Sequence, residues 1–182
     1  MEKDLAKILI TEEQIRNRVR ELGSEIARDS KEMDVLMIGI LKGAVIFFSD
    51  LVRAVPMKLS VDFLSASSYR NRTESSGKVN VQTLLSCPIQ GKRVIVVEDI
   101  IDSGRTLSKI SEVLREEGAQ DVKICTLLDK PMRRAPGITL KVDYCGFVVP
   151  DEFVVGYGLD YAELYRNLPY IGVLKPEMYS NS

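Results

Sequence analysis

Two adjacent carboxylates stand close to a short run of hydroxyl, glycine and basic residues. Glu98 and Asp99 come first, and residues 102–106, DSGRT, follow after two isoleucines. Hydroxyls and backbone amides of this kind can bind a phosphate monoester, while paired acids suit ribose hydroxyls or a Mg²⁺ ion attached to them. The residue types and their spacing therefore indicate a site for a sugar phosphate.

A strand and a helix must hold this loop. The apolar run 94–97 predicts a strand that is buried on both faces and carries both acids at its tip. The next helix is predicted to end at Gly118, and its N-terminal amides would face the loop. An ordinary strand-to-helix loop, with Asp102 or Ser103 as N-cap, is the alternative. GxxxxGK[ST] and GxGxxG are absent, so triphosphate and dinucleotide cradles are not indicated. The apolar face of the helix consists of Leu107, Ile110, Val113 and Leu114.

Two more predicted strands end in charged residues. Residues 35–40 are followed by Leu41-Lys42-Gly43, and residues 123–128 are followed by Asp129 and Lys130. Strands that alternate with helices predict a parallel sheet, and ligands of such sheets bind beyond the carboxyl ends of the strands. All three charged clusters should therefore line one cleft. Lys42 and Gly43 could hold an anion there or form a plain turn.

A polar segment, residues 65–78, lies between two alternating stretches, 58–64 and 78–83, that predict strands. It has no apolar periodicity, which is typical of a mobile loop or a hairpin end. The alternative is a lid over the cleft, with Ser68 and Tyr69 as its closing residues.

Length and composition limit the possibilities further. The chain of 182 residues fits a single domain, 1–182. Its 25 basic residues are balanced by 26 acidic ones, so nothing favours nucleic acid as a partner. Three widely spaced cysteines predict buried thiols rather than a disulfide framework, and the lack of histidine excludes Ser-His and Cys-His nucleophiles. With no secretory signal and no long apolar run, we expect a cytoplasmic protein without membrane contact.

The sequence EDIIDSGRT, residues 98–106, resembles the signature for phosphoribosyl pyrophosphate (PRPP) in the type I phosphoribosyltransferases, in the form carried by the hypoxanthine-guanine enzymes. The similarity covers essentially the whole chain, and it is closest to bacterial members. LKG at 41–43 matches the pyrophosphate loop of the family, and SSY at 67–69 matches its lid. LLDK at 127–130 and EFVVGYGLDY at 152–161 match its purine pocket. The resemblance implies an α/β fold, with a central parallel sheet, flanking helices and a small hood over the carboxyl-end cleft.

The resemblance also implies the reaction. A 6-oxopurine, hypoxanthine or guanine, would react with PRPP to give IMP or GMP and pyrophosphate, with Mg²⁺ as cofactor and Asp102 as the acid–base residue. The implied pyrophosphate contacts are Lys42, Gly43, Arg166, Ser68 and Tyr69. The 5'-phosphate and ribose contacts are Glu98, Asp99, Asp102, Ser103, Gly104, Arg105 and Thr106. The purine contacts are Lys130, Phe153, Val154 and Asp160, and the metal ligands are Glu98, Asp99 and Asp160.

Particular roles follow from the same resemblance. Lys130 would bind the purine O6 and reject the amino group of adenine, because that group would place a donor against a donor. Phe153 would stack on the base while the Val154 backbone reads its 2-position. The peptide bond between Leu41 and Lys42 is expected to be cis or strained, with the amides of residues 42 and 43 against an anion. A homodimer or homotetramer is expected.

Other functions stay open at this stage. Xanthine or orotate could be the base. A regulator that keeps the PRPP fold but binds RNA or DNA would need a basic face or an added segment, and the sequence offers neither. From the residues alone, Phe153 and Val154 would be core residues and Asp160 and Arg166 surface charges.

Overall fold

Two sheets of unequal size organise the computed structural model, which describes residues 1–65 and 84–180. The larger sheet has five strands in the order β3-β2-β4-β5-β6, and all neighbours are parallel. The smaller one has three antiparallel strands in the order β1-β8-β7. The elements are β1 (Leu5–Ile10), α1 (Glu12–Asp29), β2 (Val35–Leu41), α2 (Val45–Ala54), β3 (Ser60–Ser65), β4 (Arg93–Ile101), α3 (Arg105–Glu116), β5 (Asp121–Asp129), β6 (Tyr144–Val148), β7 (Val154–Val155) and β8 (Ile171–Leu174).

The central strand β4 is buried on both faces, as its apolar run predicted. Val94 and Val96 pack in one hydrophobic cluster with the apolar face of α3, while Ile95 and Val97 pack in another with α1 and α2. Helices therefore cover both faces of the parallel sheet, which confirms the predicted fold class. Each apolar side chain buried in this way contributes about 1.5 to 3 kcal/mol before the entropy of ordering is counted.

Helix α1 begins where the sequence places a capping box. The Thr11 hydroxyl accepts a hydrogen bond from the Gln14 amide, and the Gln14 side chain accepts one from the Thr11 amide. These bonds satisfy two of the donors that a helix start leaves open. Further along, a Cβ at Gly23 would collide with the Ala54 carbonyl, so glycine lets α1 approach α2 closely.

The smaller sheet, called the hood below, joins segments from distant parts of the chain. β1 pairs with β8, and β8 pairs with β7. Neither β1 nor β8 was predicted as a strand, because β1 has no regular alternation of buried and exposed residues and β8 has only four residues, all buried. The residues predicted as a strand at 78–83 and the segment with Ser68 and Tyr69 lie outside the described residues.

The fold contains three cysteines and several helices whose properties bear on the sequence predictions. All three cysteines lie in the described ranges and form no disulfide, as predicted. Cys125 is buried, and its burial raises the pKa of its thiol, but Cys87 and Cys145 are only half-buried, so the predicted burial is wrong for these two. Among the helices of residues 1–65 and 84–180, none is long and apolar enough to cross a membrane.

Candidate active site

Two adjoining cavities open at the carboxyl ends of the parallel strands, and Asp102 lines both. The larger one, the base cavity, has a volume of about 360 Å³ and runs from Asp99 and Lys130 on the sheet to Phe153 on the hood. The smaller one, the phosphate cavity, has a volume of about 220 Å³ and is bounded by Glu98 and the loop before α3. Asp102 Oδ1 has no hydrogen-bond partner among the described residues, although it is buried. A carboxylate oxygen at the junction is therefore available to a ligand.

The phosphate cavity ends at the N-terminus of α3. The N-cap of α3 is Gly104, with φ 74°. The alternative that Asp102 or Ser103 is the N-cap is therefore wrong. A left-handed φ favours glycine at this position. In the described structure no side chain caps this helix, and Ser103 Oγ lies 3.5 Å from the Arg105 amide. The amides of the first turn thus retain their capacity to bind an anion.

The residues predicted for the 5'-phosphate divide into two groups. Ser103, Gly104 and Thr106 line the phosphate cavity together with Glu98 and Asp102. Arg105 begins α3 as an exposed residue and lines neither of the two cavities.

The acid pair lies between the two cavities. Glu98 lines the phosphate cavity and Asp99 the base cavity. Burial raises the pKa of the Asp99 carboxyl, and hydrogen bonds with Glu98 and the Ile100 amide, together with the charge of Arg166, act against that rise. Asp99 Oδ1 accepts the Ile100 amide at 2.7 Å. A desolvated carboxylate beside a second carboxyl group is well placed to gain a cation.

Gly43 brings the predicted pyrophosphate loop against this pair. A Cβ at position 43 would collide with the Asp99 carboxylate, and a Cβ at Gly158 would collide with the Gly43 carbonyl. Both glycines are therefore needed for the close approach of three chain segments. The peptide bond between Leu41 and Lys42 is cis, as the resemblance implied.

Four charged residues form an ion-pair cluster next to the loop. Lys42 Nζ donates to Glu163 Oε2 at 3.1 Å, and Arg166 Nη2 reaches Glu163 Oε2 at 3.3 Å and Asp160 Oδ1 at 2.8 Å. The Lys42 ammonium is the largest influence that lowers the pKa of Glu163, followed by Arg166. The structure thus brings together three predicted site residues, Lys42, Arg166 and Asp160, although only Asp160 lines one of the two cavities. Glu163 was not predicted.

Lys130 is a buried cation at the floor of the base cavity. Its Nζ donates to the Glu152 carbonyl at 2.7 Å and lies between two carboxylates, 4.0 Å from Asp102 Oδ1 and 3.8 Å from Asp151 Oδ1. Its backbone amide donates to the Ile101 carbonyl at 3.1 Å, which ties it to the loop after β4. An ammonium has three donors, so one bond to Glu152 leaves donors for a ligand.

The hood supplies the opposite wall. Phe153 is 38% exposed and Val154 is 6% exposed, and both line the base cavity with Asp160. The ring of Tyr179 stacks on Phe153 with centroids 4.8 Å apart, and Tyr161 contacts Phe153 edge-on at 5.6 Å. Sequence reasoning missed Tyr179, since no local pattern links it to a strand tip.

Arg134 is a third residue, after Glu163 and Tyr179, that the sequence did not single out. Its Nη1 donates to the carbonyls of Ile101 at 3.1 Å and Asp102 at 2.7 Å, and its Nη2 pairs with Asp129. Asp129 is 8% exposed and does not line either cavity, so its predicted place in the cleft is wrong. The pair instead anchors the backbone that carries Asp102.

The donor set fits a magnesium ion only in part. In the described ranges, no group of three or more His, Cys, Asp or Glu side chains could hold a metal. Glu98 and Asp99 are neighbours at the cleft, and Asp160 is engaged with Arg166 and with the Glu163 amide. Magnesium is commonly bound by one or two carboxylates with substrate phosphates and water completing its shell. The acid pair agrees with that pattern.

A further cavity, of about 720 Å³, lies between α1, α2 and the loop at Tyr157. It contains none of the residues predicted for the site. Tyr157 on its rim donates a hydrogen bond to Asp50 at 2.6 Å, and burial raises the pKa of the phenol.

Comparison with known proteins agrees with this geometry. The family model described as phosphoribosyl transferase domain matches residues 9–162. A hypoxanthine-guanine phosphoribosyltransferase of Staphylococcus aureus is 49% identical over 181 residues, which cover 100% of both chains. The bifunctional protein TilS/HprT of Listeria monocytogenes is 51% identical over 180 residues, and this chain spans 28% of its length.

Solved structures give the same result. A hypoxanthine phosphoribosyltransferase from S. aureus superposes with a TM-score of 0.89 at 48% identity, covering 100% of this chain and 97% of that one. A hypoxanthine-guanine-xanthine phosphoribosyltransferase has a TM-score of 0.84 at 36% identity, covering 97% of this chain and 99% of that one.

Proposed function

Because this chain belongs to the phosphoribosyltransferase family, we propose that it transfers the 5-phosphoribosyl group of PRPP to hypoxanthine or guanine. The products are IMP or GMP and pyrophosphate, and the role is purine salvage. The observation that carries the proposal is the pair of adjoining cavities that meet at the buried oxygen of Asp102. One accommodates a phosphate at a helix start, and the other accommodates a flat base between a charged floor and an aromatic wall.

The departing pyrophosphate is the first problem that the site must solve. Charge develops on it while positive charge spreads over C1' and the ring oxygen of the ribose. Lys42, the Gly43 amide and Arg166 bind the leaving anion, which displaces Glu163 from its ion pairs with Lys42 and Arg166. The reaction also requires that water be excluded, and Ser68 and Tyr69, the predicted closing residues, lie outside the described residues.

Binding of the base follows from the second cavity. Lys130 donates to the purine O6, Phe153 stacks on the ring, and the Val154 backbone reads the 2-position, with Asp160 nearby. Adenine would present an amino group to the Lys130 ammonium, so it is rejected. Asp102 holds or accepts the proton at N7 of the base.

Mg²⁺ is the proposed cofactor, with Glu98 and Asp99 as the residues that would hold it and Asp160 at a second position. When bound, it supplies positive charge to the ribose hydroxyls and to pyrophosphate. The protein residues then need only orient the ligands and move one proton.

The proposal is tested with purified protein, PRPP and Mg²⁺, and with hypoxanthine, guanine, xanthine, adenine and orotate in separate spectrophotometric assays. We expect turnover with hypoxanthine and guanine, loss of turnover after removal of Mg²⁺ with EDTA, and its return when Mg²⁺ is added. Absence of transfer to either 6-oxopurine, or transfer to adenine or orotate alone, would overturn the proposal.

Xanthine is the second candidate base, because a relative with a TM-score of 0.84 is named for it. The same panel separates a two-base from a three-base enzyme. We further propose that residues 1–182 form one phosphoribosyltransferase domain and that the protein is cytoplasmic. We also propose a homodimer or homotetramer, and light scattering of the purified protein tests this oligomeric state.

A further inference from the structure

The stacked contact between Tyr179 and Phe153 lies in the hood wall of the base cavity, and the proposed function gives it no role. The two rings are nearly parallel, with an interplanar angle of 21° and centroids 4.8 Å apart, and both rings line the base cavity. Tyr161 meets the same phenyl ring edge-on, at an interplanar angle of 87°. Offset stacking and edge-to-face contacts are the two favoured arrangements of aromatic pairs.

Tyr179 is held in this place by the hood. It follows a short 3-10 helix, Pro176–Met178, and its amide donates to the Pro176 carbonyl at 3.2 Å. The Leu174 amide at the end of β8 donates to the Phe153 carbonyl at 2.8 Å, so the two aromatic residues share one hydrogen-bonded frame. Met178 and Tyr179 also pack against the buried cluster of the hood.

The contacts with Tyr179 and Tyr161 restrict the orientation of the Phe153 ring, which is partly exposed. A phenylalanine that is 38% exposed has few neighbours to select one orientation of its ring. A ring stacked on Phe153 and a second ring packed edge-on against it together restrict the orientation of the phenyl ring. The ring that receives the base is thus oriented before the base arrives.

We infer that Tyr179 is a positioning residue for the purine base: it stacks behind Phe153 and holds that ring in the orientation that receives the base. This inference rests on the proposed function, because Phe153 stacks on a base only if the cavity binds one. It adds the segment after β8 to the base site, whereas the PRPP side of the cleft does not depend on it. Pre-organisation of this kind raises affinity by reducing the ordering that binding requires.

The test compares Tyr179→Ala, Tyr179→Phe and Met178→Ala with the unaltered protein. Met178 lies in the same segment and packs in the same cluster, but it has no aromatic ring that could stack on Phe153. Met178→Ala therefore controls for loosening of the hood. We expect Tyr179→Ala to raise the KM for hypoxanthine about two- to ten-fold, the effect of one aromatic pair. The KM for PRPP should stay unchanged, and Tyr179→Phe should retain the parental value. Thermal unfolding of all four proteins shows whether each one is folded.

Calorimetric binding of GMP to the same proteins gives a readout that does not require turnover, and its Kd should follow the KM for the base. An unaltered protein without any transferase activity would overturn the proposed function. An active unaltered protein with equal KM values in Tyr179→Ala would overturn the positioning role alone. A lower KM in Tyr179→Ala would also overturn it, since the tyrosine would then obstruct the base. Equal loss in Met178→Ala would assign the effect to general loosening.

Discussion

The two walls of the base cavity are made in different ways. On the sheet wall, Asp99, Asp102 and Lys130 follow directly from strands whose apolar sequences fix their place. On the hood wall, Phe153 and Tyr179 meet only because strands from distant parts of the chain pair with one another. The sheet wall supplies charge, and the hood wall supplies aromatic surface. Changes on the sheet wall should therefore act on chemistry and on charged recognition, and changes on the hood wall should act on affinity for the base.

The largest effect is expected at the junction of the cavities. Asp102→Asn keeps the size of the side chain and removes the proton acceptor, so turnover should fall by about 10² to 10⁴. The KM values for PRPP and base should change little. Asp151→Asn is the matched control, because Asp151 also faces Lys130 Nζ, at 3.8 Å, but lies on the hood side. Steady-state kinetics of both variants measure the effect. Similar losses of turnover in the two variants would contradict the assignment of Asp102 as the acid–base residue.

The second largest effect is expected for Arg134, which anchors the backbone that carries Asp102. Arg134→Met leaves the buried Asp129 without its cation and removes two hydrogen bonds to the loop, which should cost about 3 to 5 kcal/mol of unfolding free energy. Arg133→Met removes an exposed ion pair with Asp151 and should lower the unfolding free energy far less. Urea unfolding of both variants measures the difference. If the two adjacent arginines had equal effects, Arg134 would not anchor the loop.

Lys130 tests charged recognition on the sheet wall. A hydrogen bond from a charged donor contributes about 1.5 to 3 kcal/mol, so Lys130→Met should raise the KM for hypoxanthine by about ten- to 150-fold. The KM for PRPP should remain within about two-fold. This loss should exceed that of Tyr179→Ala, and the reverse order would contradict the division of labour between the two walls.

Asp99 of the acid pair gives the smallest expected effect, a change in the stability of the protein without Mg²⁺. Burial raises the pKa of Asp99 in the folded chain above its unfolded value, so its contribution to stability is present at low pH and is lost as pH rises through the folded pKa. Asp99→Asn removes the buried charge. In EDTA near pH 7 we expect a Tm about 2 to 4 °C higher, with a weaker gain in stability on acidification.

Asp160→Asn serves as the control for that measurement. Asp160 is ion-paired with Arg166 at 2.8 Å, so its loss should lower the Tm instead. Differential scanning fluorimetry from pH 5 to 8 follows both variants. A lower Tm for Asp99→Asn would show that the pair is stabilising without a metal.

Features that depend on adjacent residues could be predicted from the sequence. The capping box at Thr11, the buried run of β4 and the loop to α3 are each encoded within a few residues, and the parallel sheet follows from their alternation. With the family resemblance, the residues around Asp102 and Lys130 were also expected at one cleft, where the structure brings them together.

The site residues that sequence reasoning missed depend on contacts with residues from other segments of the chain. Arg134 acts through two backbone carbonyls, which no sequence pattern announces, and Asp129 therefore looked like a cleft residue. Glu163 bridges Lys42 and Arg166 from an ordinary-looking acidic position. Tyr179 becomes a cavity residue only when β8 has paired with β1 and β7.

The pairing of β1 with β8 also bears on the order in which the molecule is assembled. Its register joins Leu5 to Leu174, so this contact has a far larger sequence separation than any pair of neighbouring strands in the parallel sheet. Contacts of high sequence separation form slowly, because the intervening chain must first be ordered. During synthesis from the N-terminus, β2, β4 and α3 emerge well before β8. A nascent chain would thus complete its phosphate loop early, while β1 waits unpaired until the last strand of the hood leaves the ribosome.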